Sequence, residues 1–224
     1  MLRLFDDREI EMFHPLASFD ATIRDEHKKS FVCGVDEVGR GALAAGIYAA
    51  AVVLSPSAIR LEIKDSKKFS SRTKRAKVAD EIKQHCIVWS VAHLDAEDID
   101  RIGIQECNRR VMIEAIGRLN LDPDECVAVL DGNPLWSGSV DGIECVWFPD
   151  ADATSMAVAA ASIIAKTERD SIMERFADVY PQYGFERHVG YGAPEHITAI
   201  RSHGMIPGLH RSTFVHLESS EDDG

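Results

Sequence analysis

The segment Ala42–Leu54 is an apolar run of thirteen residues with a single glycine, Gly46, inside it. A helix needs about 20 residues to cross a bilayer, so this run is too short to span one. Its second part, Gly46–Leu54 (GIYAAAVVL), stops at Ser55–Pro56 and reads as a buried strand. Just upstream, Phe31–Val38 is rich in β-formers and is stopped by Gly39–Arg40–Gly41. Together they predict a hairpin of two strands in the interior, joined by a glycine-containing loop.

Further along, Ser70–His85 has helical spacing and two possible caps, Ser70 and Ser71. Cys86–Leu94 reads as a strand, and Ile99–Leu119 as one long amphipathic helix. Val127–Leu130 is a short apolar strand running into Asp131–Gly132, and Gly142–Phe148 is another strand. Ala157–Ala177 is an alanine-rich helix opened by Thr154 or Ser155. After Tyr180–Pro181 come glycines, histidines and one more helix near Pro194–Ser202. Strands first, then alternating strands and helices, predict an α/β or mixed layered fold.

Composition sets the outer bounds. A chain of 224 residues with 45% hydrophobic and 28% charged residues is ordinary globular material. It is long enough to bury a core without disulfides or a structural metal. Cys33, Cys86, Cys107, Cys126 and Cys145 are odd in number and never form a C-x-x-C pair, which predicts a reducing, cytoplasmic setting and no zinc site. Met1–Phe5 is followed at once by Asp6–Asp7, so no apolar leader is expected. A net charge of −12 argues against a non-specific nucleic-acid binder. The charge is uneven: residues 64–83 hold eight Lys/Arg against three acids, whereas 216–224 hold four acids and no Lys or Arg.

Three places offer carboxylates at the ends of predicted elements. Asp36–Glu37 closes the first strand, Asp131 closes Val127–Leu130, and Asp152 precedes the alanine-rich helix. Taken singly, a solvated strand end, a DG turn and a helix cap explain them. Taken together, such positions converge on one edge of an α/β sheet. Converging carboxylates raise one another's pKa unless cations neutralise them, and an all-oxygen site suits Mg²⁺ or Mn²⁺ rather than zinc. Two such ions about 4 Å apart activate water and stabilise a leaving oxygen in phosphoryl transfer. The Gly39-x-Gly41-x-x-Ala44 spacing also loosely matches a dinucleotide-binding fingerprint, but that fingerprint requires a helix directly after the glycines.

The residues carry a resemblance. Gly34–Val35–Asp36–Glu37–Val38–Gly39–Arg40–Gly41 resembles the signature of the ribonuclease HII (type 2 ribonuclease H) family. The likeness continues in order through Asp65–Ser66–Lys67–Lys68, Leu130–Asp131–Gly132 and Asp152-x-x-Ser155 with Ala159–Lys166. It then takes in Tyr183–Gly184–Phe185, Gly190–Tyr191–Gly192, Glu195–His196, Pro207 and His210–Arg211–Ser212. It implies an RNase H-like fold, a central mixed β-sheet flanked by helices with a small helical C-terminal region. On this reading 1–30 is an extension or short surface helix, 31–180 the catalytic core, and 181–224 the C-terminal helical region and acidic tail.

The resemblance also implies a function: endonucleolytic hydrolysis of the RNA strand of RNA–DNA hybrids, and incision at single ribonucleotides in duplex DNA, leaving 3′-hydroxyl and 5′-phosphate ends. Asp36 would bridge two ions, Mg²⁺ or Mn²⁺. Asp152 would help hold the ion carrying the attacking water, and Glu37 and Asp131 the ion nearer the leaving oxygen. Gly39, Arg40, Gly41 and Tyr191 would read the 2′-hydroxyl and the following sugar. Lys67, Lys68 and the basic stretch to Lys77 are candidate phosphate contacts, with a solvated helix face as the plain alternative. A monomer is expected, with no identifiable protein partner.

Departures and rivals complete the reading. Ala42–Leu43–Ala44–Ala45 stands where the family usually has a proline-containing run, and Ala151 where glycine is usual. Asp150 competes with Asp152, and spacing to Ala159–Ser162 favours Asp152. The sister family, ribonuclease HIII, has a lysine where Arg40 stands and a larger N-terminal domain than thirty residues can make. A silent hybrid-binding protein and a nicotinamide-dependent oxidoreductase are the alternatives from other classes. His188, His196, His203 and His210 are spaced by eight, seven and seven, which fits capping and packing better than a metal cluster.

Overall fold

The computed structural model describes residues 14–216. The expectations for Met1–Phe5 and for the acidic residues after His216 lie outside them. In chain order the elements are α1 (Ala17–Glu26), β1 (Phe31–Val38), β2 (Ile47–Leu54), α2 (Arg72–His85), β3 (Cys86–Leu94), α3 (Ala96–Ile102) and α4 (Ile104–Gly117). There follow β4 (Cys126–Asp131), β5 (Ser139–Val140), β6 (Ile143–Phe148), α5 (Met156–Val179), α6 (Phe185–His188) and α7 (Pro194–His203).

The six strands form one sheet in the order β3-β2-β1-β4-β6-β5. β2 runs antiparallel to β1 and β3, β1 and β4 are parallel, β4 and β6 are parallel, and β5 turns back on β6. The sheet is covered on both faces, which is why its central strands read as continuous apolar runs. On one face Cys33, Val35, Ala128 and Leu130 pack with Val111, Met112, Ala115 and Ile116 of α4. On the other, Ala50 and Val52 meet Ala159, Ala160, Ile163 and Ile164 of α5, with Val78, Ala79 and Ile82 of α2 behind. Each fully buried Val or Ile contributes about 1.5–3 kcal/mol relative to exposure.

One contact sets the spacing of the layers. A Cβ on Gly34 would stand 2.0 Å from the Ala157 carbonyl carbon, so the first turn of α5 rests directly on the β1 backbone. The alanines of α5 allow the same close approach further along.

Local chemistry explains the boundaries. The Ser71 hydroxyl accepts from the Lys74 N–H, and the Ser155 hydroxyl from the Val158 N–H, so these serines cap α2 and α5. The predicted single helix over Ile99–Leu119 is instead two. Gly103, at φ +82°, closes α3 with its N–H on the Ile99 carbonyl and opens α4. The apolar spacing continues across the break because Ile99, Cys107 and Val111 face the same core, so periodicity alone conceals it. β5 has two residues and α6 four, too few to leave a periodic signal.

The C-terminal region is stitched to the loop between β1 and β2. Ala42 bridges Tyr191 and Ala44 bridges His210, while Ala44 and Ala45 pack with Met173, Phe185, Val189 and Leu209. All five cysteines are free. Among the described residues no helix is long and apolar enough to cross a membrane.

Candidate active site

The parallel strands β1 and β4 end side by side. Val35 pairs with Leu130, so the next residues, Asp36 and Asp131, are neighbours across the ladder. Asp131 also pairs with Phe148, the last residue of β6, and the chain from β6 returns past Asp150 into a single turn, Ala151–Ala153, that holds Asp152. The carboxyl ends of adjacent parallel strands are where α/β sheets leave room for ligands. Asp36 and Asp152 are both buried, at 6% exposure. Asp150 is exposed, in left-handed backbone at φ +55°, so of the two candidates it is Asp152 that turns inward.

Asp36 and Glu37 lean to opposite faces of the strand, as alternation requires. Asp36 lies on the α5 side, near Ser162, whose hydroxyl is 3.0 Å from the Ser66 hydroxyl. Glu37 lies on the α4 side, near the buried Asn108. Being at the strand's end, both still feel Asp131. One oxygen of Asp131 accepts from the Ala151 N–H at 2.6 Å, which ties the turn bearing Asp152 to β4.

The electrostatics follow from burial and like charge. Burial first, then Glu37, Asp131 and Asp152, push the Asp36 carboxyl well above the usual carboxylate range. Glu37 is raised by burial and by Asp131 while Arg40 pulls it back, and Asp131 is raised by burial and by Asp152. Two exposed cations turn back toward the acids: Lys67 Nζ lies 3.5 Å from Asp152 and Arg40 Nη1 3.7 Å from Glu37. Among the described residues no three acidic, histidine or cysteine side chains are already drawn into a metal-holding group. The donor chemistry nevertheless fits a hard divalent cation: carboxylate oxygens only, desolvated, and destabilised by one another.

The expected ribose-reading residues come together beside the acids. Gly39 has φ +99°, and a Cβ there would lie 2.5 Å from Arg169 Nε, so the loop turns against a buried arginine. Arg40 and Gly41 are exposed. Leu43 N donates to the Gly190 carbonyl at 2.8 Å, which sets Tyr191 next to this loop. The Tyr191 ring is half-buried, with the Arg169 guanidinium 5.3 Å and Lys166 Nζ 5.6 Å from its centroid. After Gly41 the chain enters β2, not a helix, so the dinucleotide fingerprint has no counterpart.

The cationic stretch is smaller than its sequence predicts. Arg75 is buried against Asp170 at 2.5 Å, Arg72 donates to the Glu186 carbonyl, and Lys83 pairs with Glu168. These side chains join α2 to the C-terminal half. Lys67, Lys68, Lys74 and Lys77 remain exposed. The histidines pack and cap. His188 contacts the Tyr183 carbonyl, His196 Nδ1 lies 2.8 Å from the Tyr191 carbonyl, and His210 Nδ1 accepts from Ile206 N.

Several residues around the site carried no sequence signal of their own. Asn108 looks like one more polar position on an amphipathic helix. Ser162 lies in the Ala159–Lys166 motif, but nothing in the run marks it as a neighbour of Asp36. Asp20, on the segment read as a surface extension, is half-buried and turned toward α5: it accepts from Ser155 Oγ at 2.6 Å and from Ala157 N at 2.9 Å. Burial pushes its carboxyl up to about 7, against the pull of those hydrogen bonds. Only a contact between residues 135 positions apart could have found it.

The fold has counterparts among solved structures. RNase HII in a structure of the PCNA:RNase HII complex from Archaeoglobus fulgidus superposes with a TM-score of 0.71 and 28% identity, over 87% of this chain and all of that one. The Bst-RNase HIII structure with Mn²⁺ shares the fold, with a TM-score of 0.61, 21% identity, and coverage of 84% and 68%. The architecture is therefore RNase H-like. The ribonuclease HII family model matches residues 33–217. Ribonuclease HII of Ruminiclostridium cellulolyticum is 39% identical over 210 residues, covering 93% of this chain and 79% of the relative. That of Chlorobium luteolum is 42% identical over 188 residues, covering 82% and 88%. The chain belongs to the ribonuclease HII family, the type 2 ribonucleases H.

Proposed function

We propose that this enzyme hydrolyses the RNA strand of RNA–DNA hybrids and incises duplex DNA at single embedded ribonucleotides, using two divalent ions held by Asp36, Glu37, Asp131 and Asp152. The observation that carries this is the convergence of these four carboxylates, from β1, β4 and the turn before α5, on one largely desolvated edge. Buried like charges of this kind call for cations, and Mg²⁺ or Mn²⁺ would supply activation of water and stabilisation of the leaving 3′ oxygen. Asp36, which feels the charge of the other three, would be the ligand shared by both ions.

The remaining residues orient the substrate. The exposed Arg40–Gly41 backbone, held open beside the acids, is where a 2′-hydroxyl is read. The Tyr191 ring, backed by Arg169, offers a flat surface to the next sugar. Lys67, with its side chain 81% exposed, stands beside Asp152 where it meets a phosphate. No side-chain nucleophile is required.

The test is incision of three duplexes, holding one ribonucleotide, a run of ribonucleotides, and none, with Mg²⁺ and Mn²⁺ compared. Cutting of the first two and not the third is expected, with 3′-hydroxyl and 5′-phosphate products. No cutting of the single-ribonucleotide duplex with either ion would refute the junction reading.

A further inference from the structure

The segment before residue 33 lies outside the family match, yet it reaches the site. α1 packs by Ile23 against Val32, Val127, Val129, Ala157 and Val158, and Phe19 sets its edge on Phe148 at 5.1 Å. Between these two apolar anchors Asp20 is inserted into the start of α5. Ser155 donates its hydroxyl proton to Asp20 while accepting from Val158 N, and Ala157 N donates to the other Asp20 oxygen. The first turn of α5 is therefore closed by a carboxylate from a different element, in the position that best meets the helix dipole.

That turn is continuous with the one presenting Asp152. Ser155 N and Thr154 N both donate to the Ala151 carbonyl, and Ala151 N donates to Asp131. The stretch 151–155 is thus held at its near end by Asp131 and at its far end, through Ser155, by Asp20. Asp152 lies between the two anchors.

We propose that Asp20 is a positioning residue for Asp152: it fixes the turn from which that carboxylate reaches a divalent ion. This rests on the assignment of Asp152 as a metal ligand. Partners that orient a ligand typically change metal affinity by about 10–100-fold when removed. Asp20→Asn keeps the shape and one acceptor, Asp20→Ala keeps neither, and Ile23→Ala loosens the same helix without touching a hydrogen bond.

The experiment measures Mn²⁺ binding to substrate-free protein by calorimetry, alongside the Mg²⁺ dependence of hybrid cleavage. Asp20→Ala and Asp20→Asn are expected to bind Mn²⁺ about 10-fold more weakly, with kcat at saturating Mg²⁺ within about 3-fold of wild type. Ile23→Ala is expected to bind Mn²⁺ as wild type does. Unchanged Mn²⁺ binding in a folded Asp20→Asn protein would overturn the proposal, as would an equal loss in Ile23→Ala. Wild-type protein that neither binds Mn²⁺ nor cleaves would instead overturn the functional reading beneath it.

Discussion

The Arg211 guanidinium donates to the Gly39 carbonyl oxygen at 2.7 Å, deep in the interior and across 172 residues of chain. The same group also donates to the carbonyls of Arg40, Ala45 and Gly46. It thus holds both arms of the loop between β1 and β2, and a planar fork of five donors suits such a convergence. No carboxylate accompanies it in these bonds.

Arg211→Met should therefore be costly. Each buried carbonyl left without a donor costs about 1–3 kcal/mol, so a loss of roughly 3 kcal/mol or more is expected. Urea unfolding would measure it, with Arg110→Met, on the exposed face of α4, as a control expected to stay within about 0.5 kcal/mol. A loss no larger than the control's would mean the loop holds its shape unaided.

Asp36→Asn and Asp152→Asn should each reduce cleavage by about 100-fold or more, because an ion contributes several kcal/mol of charge stabilisation in such chemistry. Circular dichroism should be unchanged. Single-turnover rates on a hybrid at saturating Mg²⁺ provide the comparison. Wild-type turnover by either variant would remove that residue from the metal site.

The acids also predict a pH dependence. Asp36, Glu37, Asp131 and Asp20 all have carboxyls raised in the folded state. At these groups the native state then binds more protons than the unfolded one, so their contribution to stability is full at low pH and is lost as pH rises through the folded values. With metal chelated, Tm should rise by about 2–4 °C, equivalent to about 1 kcal/mol, as pH falls from ~8 to ~6.5. Asp20→Asn, which removes the carboxyl raised to about 7, should flatten this slope, and added Mg²⁺ should restore Tm at the high end. His210, pushed down to about 4 by burial and His196, acts with the opposite sign. Its contribution is present above its unfolded value near 6.5 and lost as pH falls toward 4, hence the choice of window.

Tyr191→Ala should impair single-ribonucleotide incision more than Tyr191→Phe does, and more than it impairs cleavage of a ribonucleotide run. Stacking on an aromatic ring is worth about 1–3 kcal/mol, so a loss of about 10–100-fold is expected for Ala on the junction substrate. The ratio of kcat/KM values on the two duplexes is the readout. Equal losses on both would make the ring scaffolding.

What could be read in the sequence follows from how local each signal is. β1, β2 and the acids at Asp36 and Glu37 are contiguous, so pattern and motif agree there. Asp131 and Asp152 lie at element ends that apolar runs make visible. The break at Gly103 is hidden because the core face continues through it. Arg75 counts as a basic surface charge until Asp170, 95 residues away, is seen against it. Asp20 and Arg211 act through partners far along the chain, and no window of sequence contains both halves of either contact.

The Arg211 clamp also bears on timing during synthesis. The loop after β1 is made early, but the N–H groups of Leu43 and Ala44 wait for the Gly190 carbonyl, and the carbonyls of Gly39 and Arg40 for the Arg211 guanidinium. A nascent chain therefore carries Asp36 and Glu37 long before it carries a finished cleft. On a ribosome, where RNA is everywhere, the enzyme acquires its competent shape only when nearly all of the catalytic unit has emerged.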